Sequence, residues 1–303
     1  MPHLVILGAS GFLGRSMLAA GNFPMPIKAV SRKPPEGAQP GIWHAADLLV
    51  PGALDPLLGA GDVVCNLVYS ASVSGPENIR MVDNVIRACF NAGVARLIHC
   101  STAMVAGIVR QQRVLESTTC RPRTVYEQTK LTLEQRVLEA VTKGLDAAIL
   151  RPTAIVGPGG QNLLKLTRSL QGGNTVASYL RASLFGRRAM HVVPVQNVIQ
   201  ALWHVAQMPD RLSGDIYHVS SDDNPANNFR SVETTLAKAL GLPPRRIPPL
   251  PVPQIVLSLL LRLLGRSDAD PHRIYDSRKL LETGFVPPQT VRGAVEEFGA
   301  SLR

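Results

Sequence analysis

The sequence predicts an α/β protein: a doubly wound parallel sheet with a smaller, mixed C-terminal lobe. Three observations predict it. Leu4-Val5-Ile6-Leu7 is an apolar run that passes through Gly8, Gly11 and Gly14, at G-x-x-G-x-x-G spacing, into an apolar helix start at Phe12 and Leu13. Strand-like and helix-like runs then alternate as far as Leu150, the rhythm of parallel strands joined by crossover helices. From Arg151 that rhythm breaks, and proline and glycine punctuate the chain, as in RPTAIVGPGG and LPPRRIPPLPVP. Residues 1–150 are therefore expected to form a dinucleotide-binding sheet domain, and residues 151–303 mainly a substrate lobe with some segments returning to the first domain.

The opening strand, Leu4–Leu7, reads as buried because it is apolar throughout. Gly8 suits the tight turn after it, Gly11 lets backbone approach a pyrophosphate, and Gly14 lets the helix pack close to the strand. Ser10, Phe12 and Leu13 complete the expected cofactor loop, where free helix N–H groups and the positive dipole end favour an anion. Further strands are expected at Ile27–Ser31, Ile42–Ala46, Val63–Val68, Leu97–Cys100 and Ala147–Leu150, with helices at Glu77–Asn91 and Val125–Thr142. The second lobe is expected to hold a helix at Val195–Gln207, a strand at Ile216–Val219 and a rigid proline-rich connector at Leu242–Pro253. Val252–Leu264 is the longest apolar stretch. It falls short of the ~20 residues of a spanning helix, and Arg262 interrupts it. It reads as an amphipathic helix on the core or at an oligomer seam. Peripheral membrane contact is the alternative, since Arg245, Arg246, Arg262 and Arg266 flank it.

At 303 residues the chain can bury a full core. Its net charge of +10 is scattered, and only 5% of residues are aromatic, so no element looks like a nucleic-acid-reading surface. A basic surface around an anionic small-molecule site accounts for the charge at least as well. Cys65, Cys89, Cys100 and Cys120 are widely spaced without a C-x-x-C and are expected as reduced thiols. No histidine pair has metal-motif spacing, so no metal is expected. The first strand begins at once, with no room for a signal peptide, and a cytoplasmic protein is expected.

Chemistry is concentrated at three places. A NAD site typically places a carboxylate at the end of its second strand, whereas here Ala29-Val30 is followed by Ser31, Arg32 and Lys33. Cations at that point favour the 2′-phosphate of NADP(H) over NAD(H), with a solvated basic loop end as the plainer account. Asp47, closing the third strand, is placed to accept from an adenine amine. Tyr126 and Lys130, in VYEQTK, share a helix face at i, i+4 spacing. An adjacent ammonium and an oxidised nicotinamide ring would both stabilise a phenolate and bring the tyrosine down from its ordinary range, so that it moves a proton while the cofactor moves a hydride. At the end of the fifth strand Thr102, with Ser101 in reserve, is placed to orient a substrate oxygen.

Together these segments resemble the extended short-chain dehydrogenase/reductase family, in its NAD(P)-dependent sugar epimerase/dehydratase branch. GASGFLG, DVVCNLV, the Asn78 helix, LIHCSTAMVAG, YEQTK, RPTAIVGPGG and KLLETGFVPP follow in family order over nearly the whole chain. The resemblance implies a Rossmann domain, with Thr102, Tyr126 and Lys130 as catalytic set and Lys130 also holding the ribose. It implies cofactor contacts at Leu67, Val68 and Tyr69, and near Pro152 and Ile155. GPGGQNLLKLTRSL, GRRAMHVVPVQNV and RIYDSRKL look like parts of UDP-N-acetylhexosamine 4-epimerases and 4-ketoreductases. That implies a nucleotide-sugar substrate met by Asn162, Arg187 and Arg188, although a free basic loop explains the arginines nearly as well. A homodimer through the Asn78–Asn91 and Tyr126–Glu139 helices is the family habit.

Four departures narrow the reading. Ala106-Gly107 stands where many relatives carry Tyr-Gly, and Val195-Gln196-Asn197 where an acidic pair is usual. Tyr69 is bulky for a position commonly alanine. Ala103-Met104 replaces the acidic pair that dehydratases use, which disfavours dehydration. The leading expectation is hydride transfer at C4 of a nucleotide sugar, by reductase or epimerase. The alternatives are reduction of a small hydrophobic carbonyl, as in steroid or flavonoid relatives, and a non-catalytic NADP(H)-binding protein.

Overall fold

The computed structural model describes residues 1–21, 23–109, 111–172, 175–243 and 273–303. The expected Val252–Leu264 helix, the connector beyond residue 243 and Arg245, Arg246, Arg262 and Arg266 lie outside them. The chain forms two compact units, residues 1–107, 120–152 and 199–217 in one and 108–119, 153–198 and 218–303 in the other. Residues 108–119, inside the first half of the sequence, thus belong to the second unit.

The main sheet has seven strands among the described residues: β1 (Leu4–Leu7), β2 (Ile27–Ser31), β3 (Trp43–Ala45), β4 (Val63–Asn66), β5 (Arg96–Cys100) and β7 (Ala147–Pro152) of the first unit, and β10 (Asp215–Val219), which passes from the first unit into the second at His218. Their spatial order is β10-β7-β5-β4-β1-β2-β3. Parallel registers run Leu4 with Ile27, Leu4 with Val63, Val63 with Arg96 and Leu97 with Ala147. Gly214 N donates to Ala147 O at 2.9 Å and Thr153 N to Val219 O at 3.1 Å, so β10 runs alongside β7 in the same direction. The Ile216–Val219 run, expected in the second lobe, is therefore the edge of the main sheet. Its strand character was legible, but a partner strand some 65 residues away leaves no local mark.

Three helices belong to the first unit: α1 (Phe12–Ala20), α2 (Gly75–Ala92) and α3 (Val125–Thr142). The two long ones start at reciprocal capping boxes, Ser74 with Glu77 and Thr124 with Glu127. Met81, Val82, Val85, Ala88 and Cys89 of α2 and Leu133, Val137 and Ala140 of α3 recur at helical spacing. They bury with Val5, Leu7, Val64, Leu97 and Ile149 of the sheet in one cluster. Each of the Val, Leu, Ile and Met side chains among them contributes roughly 1.5–3 kcal/mol when fully buried. The sheet order reverses between β1 and β4, which opens the ligand crevice of a doubly wound sheet at their carboxyl ends.

The second unit holds two short parallel pairs, β6 (Arg113–Val114) with β11 (Ile274–Tyr275) and β8 (Ala154–Val156) with β9 (Val192–Pro194). Its helices are α4 (Leu164–Gln171), α5 (Thr175–Phe185), α7 (Phe229–Ala239), α8 (Arg278–Leu281) and α9 (Val291–Ala300), while α6 (Val195–Ala206) passes into the first unit at Ile199. Val156, Leu163, Val192, Val232, Leu236, Val291, Val295 and Phe298 form its core. Ion pairs link segments distant in sequence. Asp276 takes Arg113 at 3.1 Å, besides its near neighbour Arg278 at 2.7 Å, and the buried Asp222 carboxylate is hydrogen-bonded to His191 Nδ1 at 2.6 Å. Asn197, in the usually acidic position, exchanges two hydrogen bonds with the Gln289 backbone at 3.0 and 2.9 Å and so holds the approach to α9.

Candidate active site

The glycine turn has the shape its spacing predicts. Gly8 has φ +85°, a left-handed conformation that a side chain resists, and a Cβ there would lie 3.0 Å from Val68 Cγ2. The loops after β1 and β4 are thus in contact at the point where the sheet order reverses. At Gly14 a Cβ would fall 2.5 Å from Gly8 O, so only glycine lets α1 pack on the turn. Gly11 caps α1 without a side chain, so the first-turn N–H groups have no side-chain capping partner. Ser10 is exposed, Phe12 half-buried and Leu13 buried at the same turn.

Ser31, at the end of β2, is 5% exposed and its hydroxyl has no hydrogen-bond partner among the described residues. Beyond it Arg32 and Lys33 are exposed and, among the described residues, free of ion pairs. Asp47 spends one oxygen on Leu49 N at 3.0 Å, in a local turn. A cradle that a Cβ would fill and an uncapped helix start fit the pyrophosphate of a nicotinamide dinucleotide.

The loop after β4 is held by asparagines. Asn66 Oδ1 accepts from Val68 N at 3.1 Å, which ends the strand two residues before the expected Val68. Its amide faces His99 Nδ1 at 3.3 Å, an arrangement that assigns the imidazole proton to Nε2. Burial, and then the Lys130 ammonium, push His99 down to about 3, so the ring is neutral. Asn78 grips the far end of the same loop, accepting from Ser70 N and donating to Ser70 O, both at 2.9 Å. Leu67, Val68 and Tyr69 lie half-buried between these two anchors.

The structure brings Thr102, Tyr126 and Lys130 together. Thr102, 8% exposed, starts the 3-10 turn Ala103–Ala106 by accepting from Met104 N at 3.3 Å, and its side chain lies close enough to Tyr126 to favour the phenolate. Ser101, the reserve, is buried, and its hydroxyl has no hydrogen-bond partner among the described residues. Gly107 ends the turn at φ +60°, where a Cβ would strike Arg121 O. Lys130 is 4% exposed and its ammonium donates to Cys100 O at 3.1 Å. It also lies 5.0 Å from the centre of the Tyr69 ring, and that ring stands edge-on to Tyr126 with centroids 5.0 Å apart.

In the free chain Tyr126 is not brought down: burial raises it, against the opposing influence of the Thr102 side chain. Burial also lowers Lys130, partly offset by Cys100 and Glu134. In the free chain the phenol is held protonated. The pair shares a helix face, but the ammonium is directed at Cys100 O and Tyr69.

One group that the motif search passed over lies one turn beyond Lys130. Glu134, 1% exposed, takes a two-pronged bond from Arg151 at 2.6–3.2 Å and so ties α3 to the end of β7. Its i+4 spacing from Lys130 was the available signal. Pro152 is buried at the end of the same strand. The remaining candidates lie in the second unit and are not gathered. Ile155 O is taken by the Asn162 side chain at 2.8 Å, while Arg187 and Arg188 are exposed after α5.

Comparison with known proteins bears on the fold and the family. The chain is 29% identical over 292 residues to the human short-chain dehydrogenase/reductase family 42E member 1, covering 81% of this chain and 70% of that one. It is 31% identical over 136 residues to sterol demethylase protein B of Methylococcus capsulatus, covering 43% and 39%. Its fold matches that of MoeE5 in complex with UDP-glucuronic acid and NAD, with a TM-score of 0.72 at 21% identity over 99% of this chain and 98% of the other. Among the described residues no helix is long and apolar enough to cross a membrane. The family model for NAD dependent epimerases/dehydratases matches residues 4–220. That span runs from the first residue of β1 to just past β10 and takes in the whole sheet, and by it the chain belongs to the NAD dependent epimerase/dehydratase family of extended short-chain dehydrogenases/reductases.

Proposed function

We propose that the chain is an NADP(H)-dependent oxidoreductase acting at C4 of a nucleotide-linked sugar, and that it works as a 4-ketoreductase in preference to a 4-epimerase. The reading rests on the company Tyr126 keeps: the Thr102 side chain beside it and a buried ammonium one turn along the same helix. The glycine turn and first turn of α1 would hold the pyrophosphate, Ser31, Arg32 and Lys33 the 2′-phosphate, and Lys130 the nicotinamide ribose. When bound, the nicotinamide supplies the hydride that C4 gains or loses. Thr102 orients the C4 oxygen, and Tyr126 gives its phenolic proton to that oxygen as the carbonyl becomes an alcohol. Burial keeps the phenol protonated in the free chain, the form that reduction of a ketone needs. That favours starting from a ketone, since epimerisation must begin by removing a hydroxyl proton.

The substrate's nucleotide falls to the second unit in this reading, with Arg187 and Arg188 toward its phosphates and Asn162 near the sugar. The exposed Phe90 of α2 and Val125 of α3 suit a homodimer seam along those helices, and we place the enzyme in the cytoplasm. The similarity to sterol demethylase protein B favours one second reading, a hydrophobic alcohol or ketone as substrate. Calorimetric titration of the NADPH-saturated chain with UDP separates the two. A UDP-dependent heat, followed by NADPH oxidation with UDP-linked 4-keto sugars, is the result expected. NADPH binding with no UDP heat would transfer the assignment to the hydrophobic carbonyl.

A further inference from the structure

Lys130 is a charged group with too few partners. Its ammonium carries three protons, yet among the described residues only one acceptor, Cys100 O, receives a hydrogen bond from it. Its other charged or titratable neighbours are His99 and Cys100 from β5 and Glu134 from its own helix, and among the described residues none of them forms an ion pair with it. What faces the ammonium is the ring of Tyr69, its centre 5.0 Å away. The same ring meets Tyr126 edge-on at 90°. The ring is held by its backbone: Val68 on one side is bonded to Asn66 and Ser70 on the other to Asn78, both asparagines 1% exposed.

We propose that Tyr69 is a positioning residue, whose ring face seats the Lys130 ammonium and whose contact with Tyr126 fixes the angle between the two functional groups. The negative face of an aromatic ring attracts a cation, most strongly where water is excluded. Burial works against the ammonium, and the ring compensates where no carboxylate is bonded to it. The hydroxyl of Tyr69 has no part in this, so phenylalanine serves as well, whereas an aliphatic side chain of similar size does not. A loop residue with no periodic pattern around it thereby becomes part of the site. The proposal rests on reading Lys130 and Tyr126 as the functional pair, and its test separates the two ideas.

The test is a pH titration of the cofactor-free full chain carrying ¹³C-labelled lysine, with the Lys130 signal assigned by its loss in Lys130→Arg. Tyr69→Leu is expected to lower the Lys130 midpoint by about 0.5–1.5 pH units, while Tyr69→Phe leaves it in place. Glu134, His99, Cys100 and Tyr126 are common to all these variants, so the comparison isolates the ring. NADPH titration of the same proteins should show binding weakened about tenfold in Tyr69→Leu and unchanged in Tyr69→Phe. Should Tyr69→Leu fail to fold, Tyr69→Met repeats the comparison. An unchanged midpoint in the aliphatic variant, or an equal drop in Tyr69→Phe, would overturn the proposal. Failure of the wild-type chain to bind NADPH would instead overturn the dinucleotide reading, with the lysine titration still deciding the role of Tyr69.

Discussion

Around Lys130 the first unit buries polar groups with almost no counter-charge, whereas around Asp276 the second unit matches charge with charge. In the first region burial dominates: His99 sits at about 3, Tyr126 is raised and Lys130 lowered, and Cys65 is pushed up to about 12 by burial and then Cys100. In the second, burial raises Asp276, but hydrogen bonds from Arg278 and Arg113 outweigh it and hold the carboxyl at about 2. The difference separates two uses of buried polarity. A locked ion pair fixes chain segments, here residues 113, 276 and 278. Groups held away from their ordinary protonation equilibria can give or keep a proton as a reaction demands.

The largest expected effect breaks the first region chemically. Tyr126→Phe removes the proton donor and should lower turnover by about 10²–10⁴-fold while NADPH affinity stays the same, as steady-state rates and calorimetry would show. Next comes the exception to the contrast, the one ion pair close to Lys130. Arg151→Met leaves the Glu134 carboxylate buried without its guanidinium and should cost about 3–5 kcal/mol, with much of it recovered in Arg151→Met/Glu134→Leu. Urea unfolding followed by tryptophan fluorescence measures this, because Trp43 and Trp203 both lie in the first unit.

Acid should separate the regions. His99 is neutral when folded, while its unfolded form takes a proton below pH 6.5. Stability of the first unit is therefore full above that pH and falls, by at most about 1.4 kcal/mol per pH unit, on the way to about pH 3. His99→Gln should flatten that slope. Asp276 is ionised when folded down to about pH 2, against 3.8 as its ordinary value. Its contribution, about 2 kcal/mol, is present above pH 4 and lost only as the pH falls toward 2. Hydrogen exchange of peptides from the second unit should show that later loss in the wild type and its absence in Asp276→Asn.

Much of this architecture was legible in the amino acids. Apolar runs gave away six strands of the sheet, and Ser74/Glu77 and Thr124/Glu127 mark helix starts that a reader can find by spacing. The glycine turn and the Tyr126/Lys130 pair were visible because each needs a fixed local spacing. What stayed hidden depends on burial or on distant partners. Nothing local says that Ile216–Val219 pairs with Ala147–Pro152, or that Arg113 meets Asp276, 163 residues on. His99 reads as an ordinary member of an apolar strand until its burial is seen. Tyr126 shows the same limit: an i+4 lysine suggests a lowered phenol, and only the desolvation around the ring reverses the sign.

The most direct test of the central claim is calorimetric titration of the full chain with NADPH and with NADH, repeated on Arg32→Ala/Lys33→Ala. The account predicts one site for both cofactors in the wild type, NADPH bound about tenfold more tightly, and the difference erased in the variant with NADH unaffected. Equal affinities in the wild type would contradict the NADP(H) assignment, and no binding of either would contradict the dinucleotide site itself.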